Sequence, residues 1–289
     1  MRRVLFLFIL FSFITFSFSG KKIKFKCSKF GDINYSKYKR FLKSGIKIVD
    51  FMPGGKIKIG LIYPGSLKIR GWNKPKIKVK YLITSYGENE EEAKKKIDAI
   101  FPRIASNNFT ALIETEISGD VLGRIDYVIY VPGLRTDLKI DVAEGFVDIS
   151  DVNGWIEVTD CKGYLKLKNL KGYVSAVTKE GDILSILKGN RWEGLTFSAR
   201  TLKGDAILFM PVKFDVDLTL ISLHGKIDVD YPPVEIDGEE YELIPTKKKD
   251  GEGLTQTIGE GGPPVVVQCD NGKITFKQYD PKLEYIEDN

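Results

Sequence analysis

The chain has few of the residues that most catalytic and metal sites need. Its 289 residues include one histidine, His224, and three cysteines. One histidine cannot form a zinc cluster with cysteines that lie in apolar sequence phase, and neither a Gly-x-Ser-x-Gly motif nor a Cys/His pairing is present. A Gly-Lys-Ser/Thr phosphate loop and a nucleic-acid module are also absent. We therefore predict no catalytic residue, no metal site, no cofactor and no nucleic-acid partner.

The three cysteines give little indication of a disulfide. Three is an odd number, and two of them continue apolar alternation, Cys27 after Phe25 and Cys269 after Val267. Cys161 occupies a position that apolar residues fill in neighbouring repeats. We interpret all three as small core residues, with a disulfide as the alternative if the chain is exported.

Long apolar runs are absent except at the N-terminus. Two arginines precede an apolar run over residues 4 to 18, and the small residues Ser19 and Gly20 follow. Such a run is short for a membrane span of about 20 residues, and the order of segments is typical of a secretory signal peptide. We predict a signal peptide over residues 1–20 and an exported protein that is periplasmic, secreted or at the cell surface. The alternative is an uncleaved N-terminal anchor, which would make the membrane a partner.

Acidic residues are scarce in the first third of the chain. Residues 21 to 86 hold eighteen Lys and Arg against two acids, whereas residues 87 to 289 carry an excess of acids. Such asymmetry is consistent with affinity for a polyanion or an anionic membrane surface, although we favour the simpler interpretation that follows. The alternative is attraction between the two parts of one molecule.

Strands dominate the predicted secondary structure. Apolar and polar residues alternate in short runs between 44 and 86, again over 111–117, and again over 124–133. Residues 88–100 are the single convincing helix, because acids lead, lysines follow and Pro102 ends the pattern. We divide the chain into a signal peptide (1–20), a basic strand and helix region (21–123) and a repetitive β domain (124–280).

A repeat of nine residues runs from Gly145 to Gly181. Each nonad opens with glycine, continues with strand-like alternation and ends in a polar corner, so we predict a β-solenoid of stacked strands. Four nonads place an aromatic residue directly after the glycine: Phe146, Trp155, Tyr164 and Tyr173. The predicted corner glycines are Gly145, Gly154, Gly163, Gly172 and Gly181, followed at wider spacing by Gly204, Gly225 and Gly272. The wider spacings predict longer excursions between turns, and the glycine-rich segment 251–263 predicts a loop.

These features together resemble the family of putative adhesins called the toast-rack domain. The similarity rests on the segments 65–81 and 127–133, on the glycine-led strands from 145 to 229 and on a last copy at 272–276. The resemblance implies a right-handed β-solenoid-like, all-β fold and an extracytoplasmic role, and it implies no catalytic residue. The strong helix near 87–103 and the lysine-rich start depart from the family pattern.

The repeat has three competing interpretations. A calcium-binding roll is disfavoured, since its Gly-Gly-x-Gly-x-Asp motif is missing. An acid/base pair of Asp148 and Glu157 is disfavoured as well, because in a coil of two nonads Asp148 lies beside Lys166. In the same coil Phe146 stacks on Tyr164, and Trp155 on Tyr173. These aromatic ladders either brace the sheet or are covered by another segment of the chain. The alternative is that they form a platform for a ligand.

We therefore predict an exported surface or envelope protein with a structural or adhesive, non-enzymatic role. Its partner would be a cell-wall polymer, another anionic polymer or a glycan, bound at the aromatic residues of the repeat. The alternatives are a polysaccharide-acting enzyme built on a solenoid, and a module that assembles end to end. The sequence gives no oligomeric state.

Overall fold

Short strands joined by tight corners make up most of the computed structural model, which describes residues 35–236 and 238–280. The predicted signal peptide and Cys27 lie outside the described residues, as does the side chain of Cys161. The N-terminal strands are β1 (Lys39–Asp50), β2 (Lys56–Leu61), β3 (Gly65–Trp72), β4 (Lys76–Gly87), β5 (Ile100–Ser106), β6 (Thr110–Ile117) and β7 (Gly123–Pro132). The central strands are β8 (Asp137–Ser150), β9 (Asn153–Lys168), β10 (Lys171–Glu180), β11 (Ile183–Ile186), β12 (Gly194–Lys203) and β13 (Ala206–Met210).

The C-terminal strands are β14 (Val216–Ser222), β15 (Ile227–Asp230), β16 (Val234–Ile236), β17 (Glu239–Tyr241), β18 (Thr246–Lys247), β19 (Glu252–Ile258), β20 (Pro264–Asn271) and β21 (Ile274–Gln278). One α-helix, α1 (Glu90–Lys96), and two 3-10 turns, Tyr35–Lys37 and Ile97–Ala99, complete the described elements. The predicted mainly-β class with one short N-terminal helix is confirmed. The helix is shorter than the predicted 88–100 because β5 begins at Ile100 and includes Pro102.

Two nonads form one coil of the stack. Parallel pairing places Gly172 opposite Gly154, and Gly163 opposite Gly145, so neighbouring coils are eighteen residues apart. The first nonad of each coil contributes a strand to one layer, and the second nonad contributes a strand to the facing layer. We call these the first layer (β6, β2, the start of β8 and β9, β10, β12, β20, β14) and the second layer (β7, β3, the end of β8 and β9, β11, β13, β21, β15).

Apolar side chains from both layers fill one core between them. Alternation along each strand turns every second side chain inward. The inward pairs of the nonads are all at most 2% exposed: Val147, Ile149, Ile156, Val158, Leu165, Leu167, Val174 and Ala176. Val152 and Leu170 are buried in the same core, in the slot that Cys161 fills between them in the sequence.

Glycine is required at the corners because the backbones of adjacent coils touch there. A Cβ atom on Gly163 would lie closer than 3.0 Å to the carbonyl oxygen of Gly145, a contact that real Cβ atoms essentially never make. The same clash with the next glycine repeats along one column of the stack, which comprises Gly65, Gly145, Gly163, Gly181, Gly204, Gly272 and Gly225. A second column holds Gly154, Gly172 and Gly194. All eight predicted corner glycines lie in these two columns.

The coils do not stack in chain order at either end. The coil of β2 and β3 lies between the coil of β6 and β7 and strand β8, although it precedes both in sequence. At the other end, β20 pairs with β12 on one side and β14 on the other, and β21 lies between β13 and β15. The wide spacing before Gly272 therefore has a structural cause: the chain first forms β14 to β19 at the end of the stack and then returns to form β20 and β21. The last described strands, β20 and β21, therefore occupy the penultimate coil.

Antiparallel strands close most of the stack ends. β5 pairs antiparallel with β6, and β4 followed by β1 extends the second layer beyond β7. At the far end, β19 pairs antiparallel with β14 along seven residue pairs. The predicted loop at 251–263 is thus wrong over most of its length, because Glu252–Ile258 is a strand. Sheet pairing crosses residue 123, where we divided the chain, and the domain division stays a prediction.

Candidate functional site

The aromatic residues of the repeat form two stacked pairs. Trp155 lies opposite Tyr173 in the parallel register, with ring centroids 3.9 Å apart and planes inclined by 19°. Phe146 lies opposite Tyr164, with centroids 5.5 Å apart and planes inclined by 5°. Both stacking arrangements agree with the geometry expected for a coil of two nonads.

The two pairs lie on opposite sides of the molecule. Trp155 and Tyr173 belong to the first layer, and their neighbours in sequence point into the core, so the rings face outward. Phe146 and Tyr164 project outward from the second layer. Trp155 is 45% exposed, whereas the other three rings are half-buried. A single ligand cannot contact both pairs, and the Trp155–Tyr173 pair is the more accessible.

Polar contacts fix the indole ring of Trp155. Its Nε1–H donates to Oε1 of Glu157 at 2.8 Å, and its backbone N–H donates to Oδ1 of Asp137 at 3.0 Å. Glu157 in turn lies 3.8 Å from the ammonium group of Lys139. Because the ring and its partners hold one another, Trp155 would lose little side-chain freedom on binding a ligand.

A third acid lies beside this platform. Asp141 is half-buried on the strand next to Thr159 of β9. Burial raises the pKa of the Asp141 carboxyl, while the nearby ammonium groups of Lys139 and Lys58 lower it. The platform is therefore edged by a mixture of acids, amines and hydroxyls without a large excess of one charge.

A cavity of about 500 Å³ opens next to the platform, at the corners where the second layer returns to the first. We call it the corner pocket. Trp72, Pro75, Leu134 and Val152 give it an apolar lining, and its polar lining includes Asn153, Lys171 and Glu193. Concave sites with a mostly apolar lining and a few placed polar groups are typical of ligand pockets.

The corner pocket and the platform are continuous. Asn153 lines the pocket and begins β9, and Trp155 follows two residues later. Lys171 lines the pocket and begins β10, and Tyr173 follows in the same way. Side chains two apart on a strand share a face, so the pocket rim leads directly onto the aromatic pair.

The pocket wall contains two corners in a left-handed conformation. Asp151 and Asn169 have φ of 60° and 49°, which Asp and Asn tolerate better than most residues. Nδ2 of Asn169 donates to Oδ1 of Asp151 at 2.7 Å and so joins adjacent coils. Asp160, at the equivalent sequence position half a coil away, is instead fully buried. The nine-residue repeat in sequence thus builds two different corners.

The three acids on which the enzyme hypothesis depends face in different directions. Asp148 projects outward from the second layer and accepts hydrogen bonds from both terminal nitrogens of Arg70. Glu157 lies on the outside of the first layer, and Asp160 lies in the interior. They cannot form an acid/base pair across one substrate. Asp148 is opposite Lys166 in the register, as expected, but Arg70 is the partner that holds both of its oxygens.

The remaining candidate residues form no chemical cluster. Within 35–236 and 238–280, no group of three or more His, Cys, Asp or Glu side chains could hold a metal ion. His224 is exposed at a corner. Burial raises the pKa of the Cys269 thiol to about 12, so it is a core residue and a poor nucleophile.

Sequence reasoning missed the corner pocket and Trp72. The pocket is built from six separate segments of the chain, and only the pairing of their strands brings them together. A signal was present in the turn-rich stretches 71–75 and 132–135, which place tryptophan, leucine and prolines beside glycine.

Fold and surface together define a capped two-layer β-solenoid with an aromatic platform and an adjoining pocket. A putative cell adhesion protein from Clostridium sporogenes is similar in structure, with 16% identity, 82% of this chain and 100% of that chain covered, and a TM-score of 0.45. Putative adhesins from Bacteroides fragilis and Parabacteroides merdae are also similar, at 13% and 9% identity, each with 82% of this chain and 97% of that chain covered, and with TM-scores of 0.29 and 0.21.

These solved structures carry the same adhesin description as the family that the sequence resembles. At these identities and TM-scores they assign no function to this chain. No family model matches the chain, and no curated protein matches it.

Proposed function

We propose that this chain is an exported, non-enzymatic protein of the cell surface or envelope that adheres to a glycan. The observation that carries the proposal is the exposed Trp155–Tyr173 pair next to the corner pocket. One face of each ring is used in the stacking of the pair, so a sugar ring would pack on the ring surface that stays exposed. Amides, carboxylates and amines at the edge of the platform match sugar hydroxyls as donors and acceptors.

The geometry suits a chain of sugars more than a single small molecule. The platform spans two neighbouring coils of the stack. The corner pocket adjoins the platform at the corners where β9 and β10 begin. One sugar unit on the aromatic pair would place the next unit toward Asn153 and Lys171 at the pocket rim. A ligand that spans both features gains contacts from each without ordering a flexible loop.

The charge around the platform favours a glycan over a strong polyanion. Glu157 is close to Lys139, and Lys171 forms an ion pair with Glu193 at 2.8 Å. The local charges therefore offset one another. The basic surplus of the sequence lies mainly elsewhere, on strands that precede the repeat.

The experiment is a glycan and cell-wall polysaccharide array on the purified chain, followed by titration with the best binder. We expect Trp155→Ala and Tyr173→Ala each to weaken binding by about tenfold or more, as truncation of a central aromatic anchor does. Tyr164→Ala is the matched control, because it removes an equivalent stacked ring on the opposite layer. We expect it to bind as the wild type does.

Two results would overturn the proposal. One is an array without any binder at low salt. The other is an equal loss of binding in Tyr164→Ala and Tyr173→Ala, which would attribute the loss to weakened sheet bracing. A circular dichroism melt of each variant separates lost folding from lost binding.

A further inference from the structure

The outward side of β1 and β4 carries an exposed apolar patch. Leu42, Ile46 and Ile48 of β1 are 46%, 63% and 55% exposed, and Leu82 of β4 is 38% exposed. The antiparallel register places Ile46 opposite Lys80, and Ser44 opposite Leu82, so these side chains share one face. We call this surface, with Lys68 of β3 and with Lys78 and Lys80 of β4, the N-terminal outer face.

The other side of β1 is occupied. Lys43 pairs with Asp98 at 2.6 Å, and Nζ of Lys47 donates to the backbone oxygen of Ile104 at 2.7 Å. Helix α1 packs against both β1 and β4 on this side, and Lys94 lies over the ring of Phe41. The apolar side chains at even positions are therefore left uncovered while those at odd positions are packed.

The N-terminal outer face is positively charged. Lys68, Lys78 and Lys80 form no salt bridge with any acid in the described part of the chain, and the latter two lie 5.9 and 5.8 Å from the ring of Tyr130. The acids on this side already have partners. Asp50 pairs with Lys76, and Asp126 pairs with Arg124.

We propose that the N-terminal outer face lies on an anionic lipid surface. Isoleucine and leucine tips spaced among lysines match the boundary between acyl chains and anionic head groups, where lysine stems stay in apolar surroundings and their ammonium groups reach phosphate. A soluble polyanion would make no use of the exposed isoleucines. A protein anchor residue would need a pocket, and the corner pocket is lined by no residue of this face.

The position of this face in the chain fits a lipid surface. The apolar run over residues 4 to 18 precedes β1, which is the first described strand. Within 35–236 and 238–280, no helix is long and apolar enough to cross a membrane. Contact through this face would turn the first layer, with Trp155 and Tyr173, away from the lipid.

The test compares binding of the full chain to vesicles of phosphatidylcholine alone and to vesicles that also contain phosphatidylglycerol. Apolar binding through the run is common to both vesicle types, so their ratio reports the contribution of positive charge, which the variants below divide between this face and the rest of the chain. We expect roughly tenfold or stronger binding to the anionic vesicles at low salt, and a ratio that falls as salt is added.

Variants then assign the effect to this face. Lys78→Glu with Lys80→Glu should bring the ratio close to one, and Ile46→Ser with Ile48→Ser should weaken binding to the anionic vesicles severalfold. The control is Lys139→Glu with Leu195→Ser, which makes one change of each kind at exposed positions of the first layer. It should leave the ratio unchanged, and so should Trp155→Ala, which keeps this test separate from that of the glycan site.

Three outcomes overturn the proposal. Equal binding to both vesicle types would leave the apolar run as the sole membrane contact. Binding to dextran sulfate that depends on the lysines but not on the isoleucines would indicate a polyanion site. A concentration-dependent dimer in sedimentation that Ile46→Ser with Ile48→Ser abolishes would make this face an interface between two copies.

Discussion

Glycine 163 tests the corner column without the complication of an unusual backbone angle. It is not among the residues with positive φ, so glycine is required there by close approach alone, chiefly to the backbone of Gly145 and also to the carboxylate of Asp160. We expect Gly163→Ala to lower the free energy of unfolding by roughly 1–3 kcal/mol, because the added methyl group pushes two coils apart. Urea unfolding measures this change.

The matched control is Gly60→Ala in β2. A Cβ atom there would meet only the side chain of Glu114, at an ordinary 3.6 Å. We expect a change of no more than about 0.5 kcal/mol. Similar losses of unfolding free energy for Gly60→Ala and Gly163→Ala would contradict the requirement for glycine in the corner column. They would instead indicate a general cost of replacing glycine in these strands.

Asp270 provides a pH-dependent test on the outside of the first layer. Nε of Arg200 donates to its Oδ1 at 3.0 Å, and this hydrogen bond lowers the pKa of the Asp270 carboxyl below the ordinary value of 3.8. A lowered pKa in the folded state contributes stability at neutral pH that is lost as the pH falls below 3.8. We expect Asp270→Asn to cost about 1 kcal/mol at pH 7, and the difference from wild type to disappear in acid.

Thermal unfolding of wild type and Asp270→Asn between pH 7 and pH 2 measures this difference. Asp228→Asn is the control, since its pair with Lys273 is more exposed and should contribute less. A constant gap between wild type and Asp270→Asn at all pH values would show that the aspartate acts through packing and not through its charge.

At the residue scale the sequence predicted the repeat well and the pocket poorly. The corner glycines and the stacking partners follow from one period of nine, because a stack of coils converts sequence spacing directly into contact. Trp72 belongs to an earlier segment outside that period. Its approach to Leu134 and Lys171 depends on which coils are neighbours, and spacing alone does not contain that information.

Strand β19, which the sequence did not predict, covers the edge of the first layer, and this role can be tested. It lies antiparallel across β14, where Leu254 is opposite Leu220 and is 5% exposed. We expect Leu254→Asp to detach β19, because a carboxylate cannot be buried there without a partner. The uncovered edge of β14 would then pair with another molecule, so light scattering across a dilution series should detect association.

Thr255→Asp is the control for that experiment, because Thr255 is exposed on the same strand. It should stay at the mass of the wild type. A monomeric Leu254→Asp variant with an unchanged melting temperature would mean that β19 is not the cap of this edge. End-to-end assembly at this end of the stack would then have to use the outer edge of β19, because β19 covers the edge of β14.

The sequence suggested a loop at β19 for a physical reason. Glycines at 251, 253, 259, 261 and 262 surround and interrupt the segment, and composition of this kind is common in loops. The strand forms because β14 supplies a complete row of partners, and tertiary pairing overrides a weak local preference. The long alternating segments, in contrast, needed no partner to be recognised as strands.

At the scale of the whole molecule, the displaced coils decide how the solenoid unfolds. In a solenoid stacked in chain order, each coil contacts only its neighbours, and removal of the last coil leaves the others intact. Here β20 and β21, the last described strands, are the parallel strands that connect β14 and β15 to the rest of the stack, and the one other parallel pairing described there is an isolated bridge between Asp215 and Arg191. The last described strands therefore hold β14 and β15, which precede them in the sequence, in the stack.

A chain that ends at residue 263 tests this arrangement. We expect β14, β15 and β19 to lose hydrogen-exchange protection although all their residues are present, while β8, β9 and β10 keep theirs. A chain that ends at residue 280 is the control and should resemble the wild type. Retained protection of β14 in the shorter chain would mean that β14 can pair directly with β12 when β20 is missing. In that case β20 would not be required to hold β14 in the stack.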